Sequence, residues 1–270
     1  MLFSVLLSVY SKEDPKYLND SLESIYDKQS LKPTEIILVK DGLLPSKLNQ
    51  VIEHWQCKLG KLFITIQLEH NVGLAKALNV GLEKCSHELV ARMDTDDIST
   101  PTRFEKQVAF MLENKHIVAS SGEVLEFDIN MARQIGIRSL PCNNNDLVKF
   151  CRFRSPLSHP AVIFRRSRIT AAGGYPNFSN SQDWALWSLL ISRGEAIANI
   201  DSTLVHMRTD SSLLERRGIK YYKNELKIFR FQRDIGISRR RDFFFNVVSK
   251  GILRSSPSAV KKLAYKNLRK

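Results

Sequence analysis

Residues 88 to 97 read Glu-Leu-Val-Ala-Arg-Met-Asp-Thr-Asp-Asp, an apolar run that ends in three carboxylates within four residues. The run is typical of a strand buried in a parallel sheet. Its carboxyl end is followed by the side chains of Asp94, Asp96 and Asp97. Repulsion among three negative charges this close together is unfavourable without a counter-charge. A divalent cation with oxygen ligands, Mn²⁺ or Mg²⁺, would relieve this repulsion. The alternative is a solvated turn whose aspartates cap the helix predicted near Pro101.

Upstream of this stretch the chain repeats one pattern. Apolar runs at 3–9, 35–39 and 63–68 are each followed by residues with helical spacing. Alternation of strands and helices predicts an α/β fold with a parallel sheet. In such sheets ligands collect beyond the carboxyl ends of the strands. Tyr10, Asp41 and Asn71 follow their strands as Asp94 follows its own, so we expect one binding edge.

The second hundred residues are less regular. The patterns predict helices at 103–112 and 184–191, and strands at 117–120, 161–164 and 195–200. From about residue 216 the chain is basic and mostly helical in pattern. We therefore expect a catalytic unit over 1–214 and a helical extension over 215–270. Within the unit, a nucleotide-binding half would cover about 1–100 and an acceptor-binding half about 101–214.

The cysteines and the apolar runs exclude some classes of protein. The chain has four cysteines and no Cys-x-x-Cys pair, which argues against a zinc site or a disulfide framework and fits a reducing compartment. The apolar N-terminus lacks the basic start and cleavage site of a signal peptide. No apolar run approaches the ~20 residues that span a bilayer. We expect a cytoplasmic protein, soluble or peripherally bound to a membrane.

The positive charge is confined to one end of the chain. The net charge is +13, and residues 215–270 contain 17 Lys and Arg but only four acids, while the rest of the chain is balanced. This asymmetry predicts an anionic partner, and arginines beside aromatics favour a membrane surface. Nucleic acid is disfavoured because no recognition motif is present. A solvated helical face packed on the catalytic unit remains the third interpretation.

Several short motifs occur in a characteristic order. They are Ser8-Val9-Tyr10, Val39 to Gly42, Asn71 to Asn79, Ala91 to Asp97, Pro101 to Phe104, Ser158-His159-Pro160, Gly173-Gly174-Tyr175 and Gln182 to Trp187. Together they resemble the family 2 glycosyltransferases, which have the GT-A fold with a Rossmann-like, mostly parallel sheet. The resemblance covers about residues 1–210. It implies an inverting transferase that uses a nucleotide sugar.

The resemblance implies a donor site at the strand ends. Ser8, Val9 and Tyr10 would form the uracil pocket of a UDP-sugar with Asp41, although Tyr10 could be a core aromatic instead. Lys76 and Asn79, one helical turn apart, would face the nucleotide or its phosphates, although Lys76 could equally be a solvated lysine.

The acidic loop divides its implied roles between nucleotide and metal. Asp94 and Asp96 would contact the nucleotide sugar, and Asp96 and Asp97 the metal; the exact division stays open. Arg92 and Arg103 are candidates for structural pairing with these carboxylates.

The resemblance places the catalytic base and the acceptor on the opposite side of the cleft. An inverting enzyme needs a base on the acceptor side, and Asp183 matches the family's base position. The family usually has a second acid where this chain has Gln182, which puts a neighbouring acceptor contact in doubt. Asp183 as a helix cap is the alternative.

Five other residues are candidates for acceptor, metal or phosphate contacts. Trp184 and Trp187 would form an apolar platform for a sugar, or belong to the core, and His159 would border the acceptor. His206 or Arg208 would complete the metal or phosphate site, and a structural role for these residues is equally open.

The implied reaction is transfer of a hexose, galactose first and glucose second, from a UDP-sugar to a GlcNAc- or GalNAc-diphosphate-polyprenol acceptor, forming a β-linkage. This chemistry belongs to O-antigen or exopolysaccharide repeat-unit assembly at the cytoplasmic face of the bacterial inner membrane. The alternative is a non-catalytic membrane or nucleic-acid-binding protein on a degenerate transferase fold. A nucleotidyltransferase is disfavoured because residues 8–11 do not form a Gly-rich basic loop.

Overall fold

The computed structural model describes residues 1–209 and 218–256. Within these ranges one nine-stranded sheet forms the centre of the protein. Its strands are β1 Ser4–Val9, β2 Glu35–Lys40, β3 Phe63–Gln67, β4 Leu89–Arg92, β5 Ile98–Ser99, β6 Ile117–Phe127, β7 Gln134–Arg138, β8 Ile163–Arg165 and β9 Ala196–Arg208.

Helices cover both faces of the sheet. They are α1 Pro15–Ile25, α2 Ser46–Leu59, α3 Leu74–Lys84, α4 Arg103–Glu113, α5 Asn144–Cys151, α6 Arg166–Ala171, α7 Gln182–Ser192, α8 Ile219–Asp234 and α9 Arg240–Ser255. The first helix shows how the sequence sets a boundary: the Asp14 side chain accepts hydrogen bonds from the backbone N–H groups of Lys16 and Tyr17, and Pro15 occupies the first turn.

The predicted helices of the basic tail are confirmed as α8 and α9. The basic segments at 216–217 and 261–262 lie outside the described residues.

The strand order is β3-β2-β1-β4-β8-β6-β9-β5, with β7 beside β6. Strands β1 to β4 are parallel, as predicted. The second half adds antiparallel pairs between β4 and β8 and between β6 and β8, so the whole sheet is mixed. Because the order reverses direction at β1, the carboxyl ends of β1 and β4 lie side by side and form a crevice.

Two apolar layers enclose the sheet. Leu7 and Leu38 face the layer built by α1, α2 and α4, and Leu6 and Ile37 face the layer built by α3 and α7. Ile228 and Phe229 of α8 are fully buried in the second layer. The C-terminal helices therefore pack on the half of the protein that contains α7. No described helix has the length and apolar character needed to cross a membrane.

Candidate active site

Three aspartates meet at the carboxyl end of β4. Carboxylate oxygens of Asp94, Asp96 and Asp97 lie within 4.8 Å of one another. The Ser21 hydroxyl on α1 donates to the Asp94 carbonyl at 2.8 Å, and the Arg208 backbone N–H on β9 donates to Asp97 Oδ1 at 2.9 Å. The acidic loop is therefore held between α1 and β9 rather than free in solvent.

The surroundings of the cluster oppose its full ionisation. Burial, and then the charge of Asp94, raises the pKa of Asp96 to about 6. Burial and the charges of its two neighbours also raise the pKa of Asp97. Asp97 Oδ2 is buried and has no hydrogen-bond partner among the described residues. An unpartnered carboxylate oxygen beside two further carboxylates fits a hard divalent cation such as Mn²⁺ or Mg²⁺.

Arg92 is the buried cation of the site. Its guanidinium forms a two-pronged ion pair with Asp94, and its charge partly opposes the rise that burial causes in the pKa values of Asp96 and Asp183. The predicted pairing with carboxylates therefore holds for Arg92. It does not hold for Arg103, which donates to the Arg92 backbone carbonyl at 2.7 Å and forms no ion pair in the described structure. Burial, and then the Arg92 charge, lowers the pKa of Arg103 to about 9.

Glu13 is a fourth carboxylate of this region, and the sequence motifs missed it. It lies in the turn after β1, where its backbone N–H donates to the Tyr10 carbonyl at 3.1 Å. Burial, and then the charges of Asp96 and Asp94, raises the pKa of Glu13 to about 8. The strand-end rule applied to Tyr10 would have found Glu13, since both follow β1.

Strand β9 brings the Arg208 backbone into contact with the acidic cluster. The Arg208 guanidinium pairs with Asp20 at 2.8 Å and lies 4.2 Å from the centre of the Tyr17 ring. The His206 ring lies 5.1 Å from the Phe127 ring. His206 pairs with Ile98, directly after the acidic loop, but is not one of the three residues whose carboxylates lie within 4.8 Å of one another, so its role as a metal ligand stays a prediction.

The end of β1 borders the same crevice. Strand β1 pairs with both β2 and β4, so Ser8, Val9 and Tyr10 lead to the edge that carries the acidic loop. Val9 is buried and Ser8 is half-buried. The Tyr10 side chain is 40% exposed. This exposure excludes a core role for Tyr10 and leaves its ring accessible to a ligand.

Asp41 organises the turn that precedes α3. It is buried, and its two carboxylate oxygens accept from the backbone N–H groups of Val72 at 2.7 Å and Gly73 at 3.1 Å. Each oxygen retains a second lone pair. Asp41 therefore joins the end of β2 to the turn that precedes α3, whatever it contacts in a ligand.

The two candidates on α3 differ in their surroundings. Lys76 is exposed and forms no ion pair in the described parts of the chain. Both polar atoms of the Asn79 amide bond the backbone of Tyr175, at 2.7 and 3.0 Å. Gly174 fits here because a Cβ would lie 2.5 Å from Asn79 Oδ1. Asn79 therefore holds the turn between α6 and α7, and its contact with the nucleotide stays a prediction.

Asp183 lies in the first turn of α7. The N-cap is Ser181, so the alternative interpretation of Asp183 as the cap is wrong. The Ser155 hydroxyl donates to Asp183 Oδ2 at 3.2 Å, and burial raises the pKa of Asp183. The residue lines a cleft of about 450 Å³ that also contains His159 and residues of α8 and α9.

The predicted acceptor residues are mostly buried. His159 Nε2 lies 3.1 Å from the Tyr175 hydroxyl, and burial, followed by the charge of Arg92, lowers the pKa of His159. Trp184 lines the cleft with little exposed surface, and its indole N–H donates to a backbone carbonyl. Trp187 is fully buried, so it belongs to the core and cannot form a platform for a sugar.

A match to a known protein family identifies the class of protein to which this site belongs. Residues 4–166, more than half of the chain, match the model of the family Glycosyl transferase family 2. The chain is a family 2 glycosyltransferase. The resemblance seen in the motifs is thereby confirmed.

Two bacterial relatives cover most of this glycosyltransferase. The amylovoran biosynthesis glycosyltransferase AmsE of Erwinia amylovora is 40% identical over 232 residues, which are 86% of this chain and 85% of the relative. The UDP-Gal:alpha-D-GlcNAc-diphosphoundecaprenol beta-1,3-galactosyltransferase of Escherichia coli is 38% identical over 268 residues, which are 98% of this chain and 96% of the relative.

Solved structures show the same architecture. TarS 1-349 of S. aureus with UDP-GlcNAc matches this glycosyltransferase with a TM-score of 0.65 and 19% identity, over 93% of this chain and 73% of the TarS 1-349 chain. The mannosyltransferase PcManGT of Pyrobaculum calidifontis, with GDP-Man and Mn²⁺, matches with a TM-score of 0.65 and 13% identity, over 98% of this chain and 79% of PcManGT. These likenesses confirm the GT-A fold.

Proposed function

We propose that this glycosyltransferase moves a hexose, galactose first and glucose second, from a UDP-sugar to a GlcNAc- or GalNAc-diphosphate-polyprenol acceptor, with inversion to a β-linkage. The Escherichia coli galactosyltransferase carries this proposal, because its 38% identity extends over 98% of the chain. AmsE, named for amylovoran biosynthesis, supports a role in O-antigen or exopolysaccharide repeat-unit assembly.

The donor is assigned to the crevice at the ends of β1 and β4. Tyr10, with Ser8 and Val9, offers an exposed ring to the uracil, and Asp41 keeps the neighbouring turn in place. Lys76 is available to a phosphate because it is exposed. Asp94 and Asp96 are assigned to the sugar and ribose side.

A divalent cation, Mn²⁺ or Mg²⁺, is assigned to Asp96 and Asp97, with Asp94 beside them. The proximity of the three carboxylates and the buried, unpartnered Asp97 Oδ2 support this ligand set. When bound, the cation would supply the positive charge that stabilises the leaving diphosphate. Arg208 keeps Asp97 in position through its backbone N–H.

Asp183 is assigned as the general base. It would accept the proton of the acceptor hydroxyl while that oxygen bonds the anomeric carbon, on the face opposite the departing UDP. Burial raises the pKa of Asp183, which makes the carboxylate a stronger proton acceptor. Ser155 orients the carboxylate, and the positive charge of Arg92 favours its ionised form.

The acceptor is assigned to the cleft of about 450 Å³ beside Asp183. His159 and Trp184 line it, and Arg154 and Lys250 add positive charge along its walls, beside Arg138, which pairs with Glu126. A cationic cleft favours an acceptor that contains a diphosphate.

We assign residues 1–214 to catalysis and the basic extension 215–270 to peripheral association with the cytoplasmic face of the bacterial inner membrane. Each Lys or Arg near an anionic leaflet contributes about 1 kcal/mol to binding. The three exposed arginines Arg239, Arg240 and Arg241 could therefore contribute roughly 3 kcal/mol together. Nucleic acid is not an expected partner.

One experiment tests the proposed function. Purified protein is incubated with a panel of UDP-sugars and with synthetic GlcNAc- or GalNAc-diphosphate-lipid acceptors, with and without Mn²⁺. We expect UDP release that depends on both the metal and the acceptor, and a β-linked product by NMR. Absence of metal-dependent UDP binding and of any transfer would instead support a non-catalytic protein on the transferase fold.

A further inference from the structure

Helix α9 has two different faces. Phe244, Val248 and Ile252 recur at four-residue spacing and are 64%, 58% and 66% exposed. Residues four apart lie on the same side of a helix. Lys250 and Arg254 are each two positions beyond a member of this series, about 200° around the helix, and they line the Asp183 cleft. We call Phe244, Val248 and Ile252 the α9 stripe.

The inner face of α9 is firmly attached to the rest of the protein. Arg254 forms a buried ion pair with Glu225 of α8 at 2.7 Å. The Asn246 amide donates to the Arg152 backbone carbonyl at 2.8 Å, and the Tyr222 hydroxyl donates to the Val247 carbonyl at 2.7 Å. The stripe is therefore exposed on a helix that is held in place, and not because the helix is loosely packed.

Positive charge borders the stripe. Arg239, Arg240 and Arg241 are exposed at the start of α9, and Phe245 adds a second aromatic ring that is 61% exposed. Large apolar side chains exposed in a continuous row mark an interaction surface. Apolar residues on one face of a helix, with arginines beside them, are typical of helices that lie in the surface of an anionic membrane.

We propose that the α9 stripe enters the headgroup region of an anionic bilayer, so that α9 separates the Asp183 cleft from the lipid. The cleft then lies within about one helix diameter, roughly 10 Å, of the membrane surface. A lipid-linked diphosphate sugar would pass the inner face of α9 to reach Asp183. This route rests on the proposed function, whereas the contact between the stripe and the bilayer does not.

The test compares a stripe variant with a matched control. Phe244→Ser with Val248→Ser removes two exposed apolar side chains from α9. Leu43→Ser with Leu112→Ser removes two from other surfaces, where these side chains are 79% and 43% exposed. Sedimentation with phosphatidylglycerol vesicles should show a loss of binding of at least about tenfold for the stripe variant only. Neutral phosphatidylcholine vesicles should bind all forms weakly, and thermal unfolding should confirm that both variants fold.

Two results would overturn the proposal. One is equal binding of the stripe variant and the control to anionic vesicles. The other is a dimer that the stripe variant abolishes, in a protein that does not bind vesicles, because a second copy would then cover the stripe.

Transfer assays separate the bilayer contact from the reaction. The stripe variant should show a raised apparent KM for the acceptor in vesicles but ordinary kinetics with a short-chain acceptor in solution. If stripe-dependent vesicle binding is found but no acceptor is glycosylated, the proposed function fails and the bilayer contact stands. Equal acceptor KM values for both variants in vesicles would overturn the proposed route along α9.

Discussion

At the scale of single residues, two aspartates of the site suit different tasks because their neighbours differ. Asp97 lies beside two other carboxylates and has an oxygen without a partner in the described residues, which suits a cation. Asp183 accepts a hydroxyl hydrogen bond from Ser155 and lines the large cleft, which suits proton transfer to the carboxylate. Arg92 acts electrostatically on both and so connects the two sides of the site.

Asp183→Asn should abolish most transfer while UDP binding stays unchanged. The amide keeps the size of the side chain but cannot accept the proton, and general base catalysis contributes about 10²- to 10⁴-fold to rates. Turnover and calorimetric UDP affinity are the two measurements. Ser155→Ala, which only loosens the carboxylate, should cause a smaller loss. Substantial turnover by Asp183→Asn would show that the base is elsewhere.

Without a metal, the acidic cluster should stabilise the folded protein most at low pH. Bound Mn²⁺ should stabilise it more at high pH than at low pH. Since folding raises the pKa of Asp96 from 3.8 to about 6 and that of Glu13 from 4.5 to about 8, the folded state binds protons more tightly. When a chelator removes the metal, proton binding stabilises the folded state fully below about pH 4, and this stabilisation is lost as the pH rises through 6 to 8.

Mn²⁺ competes with these protons, so it should raise the unfolding temperature more at pH 8 than at pH 5. Thermal unfolding at both pH values measures the effect, and Asp96→Asn should reduce both the chelator trend and the Mn²⁺ response. Equal Mn²⁺ shifts at the two pH values would contradict this linkage.

At the scale of elements, one buried ion pair joins α9 to α8, beside the hydrogen bond from the Tyr222 hydroxyl to the Val247 carbonyl. Arg254 and Glu225 share two hydrogen bonds, at 2.7 and 2.8 Å, and both side chains are buried. Such a pair adds little to the free energy of folding beyond what an apolar contact would contribute, but removal of one partner leaves an unpaired buried charge.

Arg254→Met should therefore destabilise the protein by about 3–5 kcal/mol. The double variant Arg254→Met with Glu225→Leu should recover most of that loss, because no charge remains unpaired. Denaturant unfolding of the two variants and of the unchanged protein gives the comparison. A double variant as unstable as the single one would mean that Arg254 acts through other contacts.

At the scale of the whole molecule, the C-terminal helices are part of the core. Ile228 and Phe229 of α8 are fully buried, and the Phe229 ring lies 5.9 Å from the Trp184 ring. Trp184 follows Asp183 directly on α7. Packing of α8 therefore supports the helix that presents the candidate base.

A chain that ends at residue 214 should lose both stability and transfer. It would expose the apolar surface of α7 that α8 covers, and burial of each large apolar side chain contributes about 1.5–3 kcal/mol. A chain that ends at residue 256 keeps these contacts and should retain the unfolding midpoint. Thermal unfolding of both forms measures the difference, and an unchanged midpoint for the shorter chain would show that α8 is dispensable for the core.

The strands and helices that could be predicted are those whose sequence pattern is regular. Strands β1 to β4 were predicted because each is a short apolar run. Strands β6 and β9 extend well beyond the predicted 117–120 and 195–200 because polar residues continue them. Ser121 and Asn199, for example, are buried together through a hydrogen bond of 2.5 Å, and this pairing cannot be recognised from either segment alone.

By itself, the sequence determined the four parallel strands, the acidic loop after β4 and the helical character of the basic tail. These features depend on local periodicity and on the common edge at which parallel strands end. The tertiary structure alone decided that the Arg208 backbone bonds Asp97 of the acidic loop, and that Asn79 holds the turn between α6 and α7. It also decided that Glu13 lies where the charges of Asp96 and Asp94 raise its pKa, and that one face of α9 is exposed. The Arg208 contact with Asp97 joins residues 111 positions apart. Strand register and helix packing set such contacts, and neither is encoded in a local pattern.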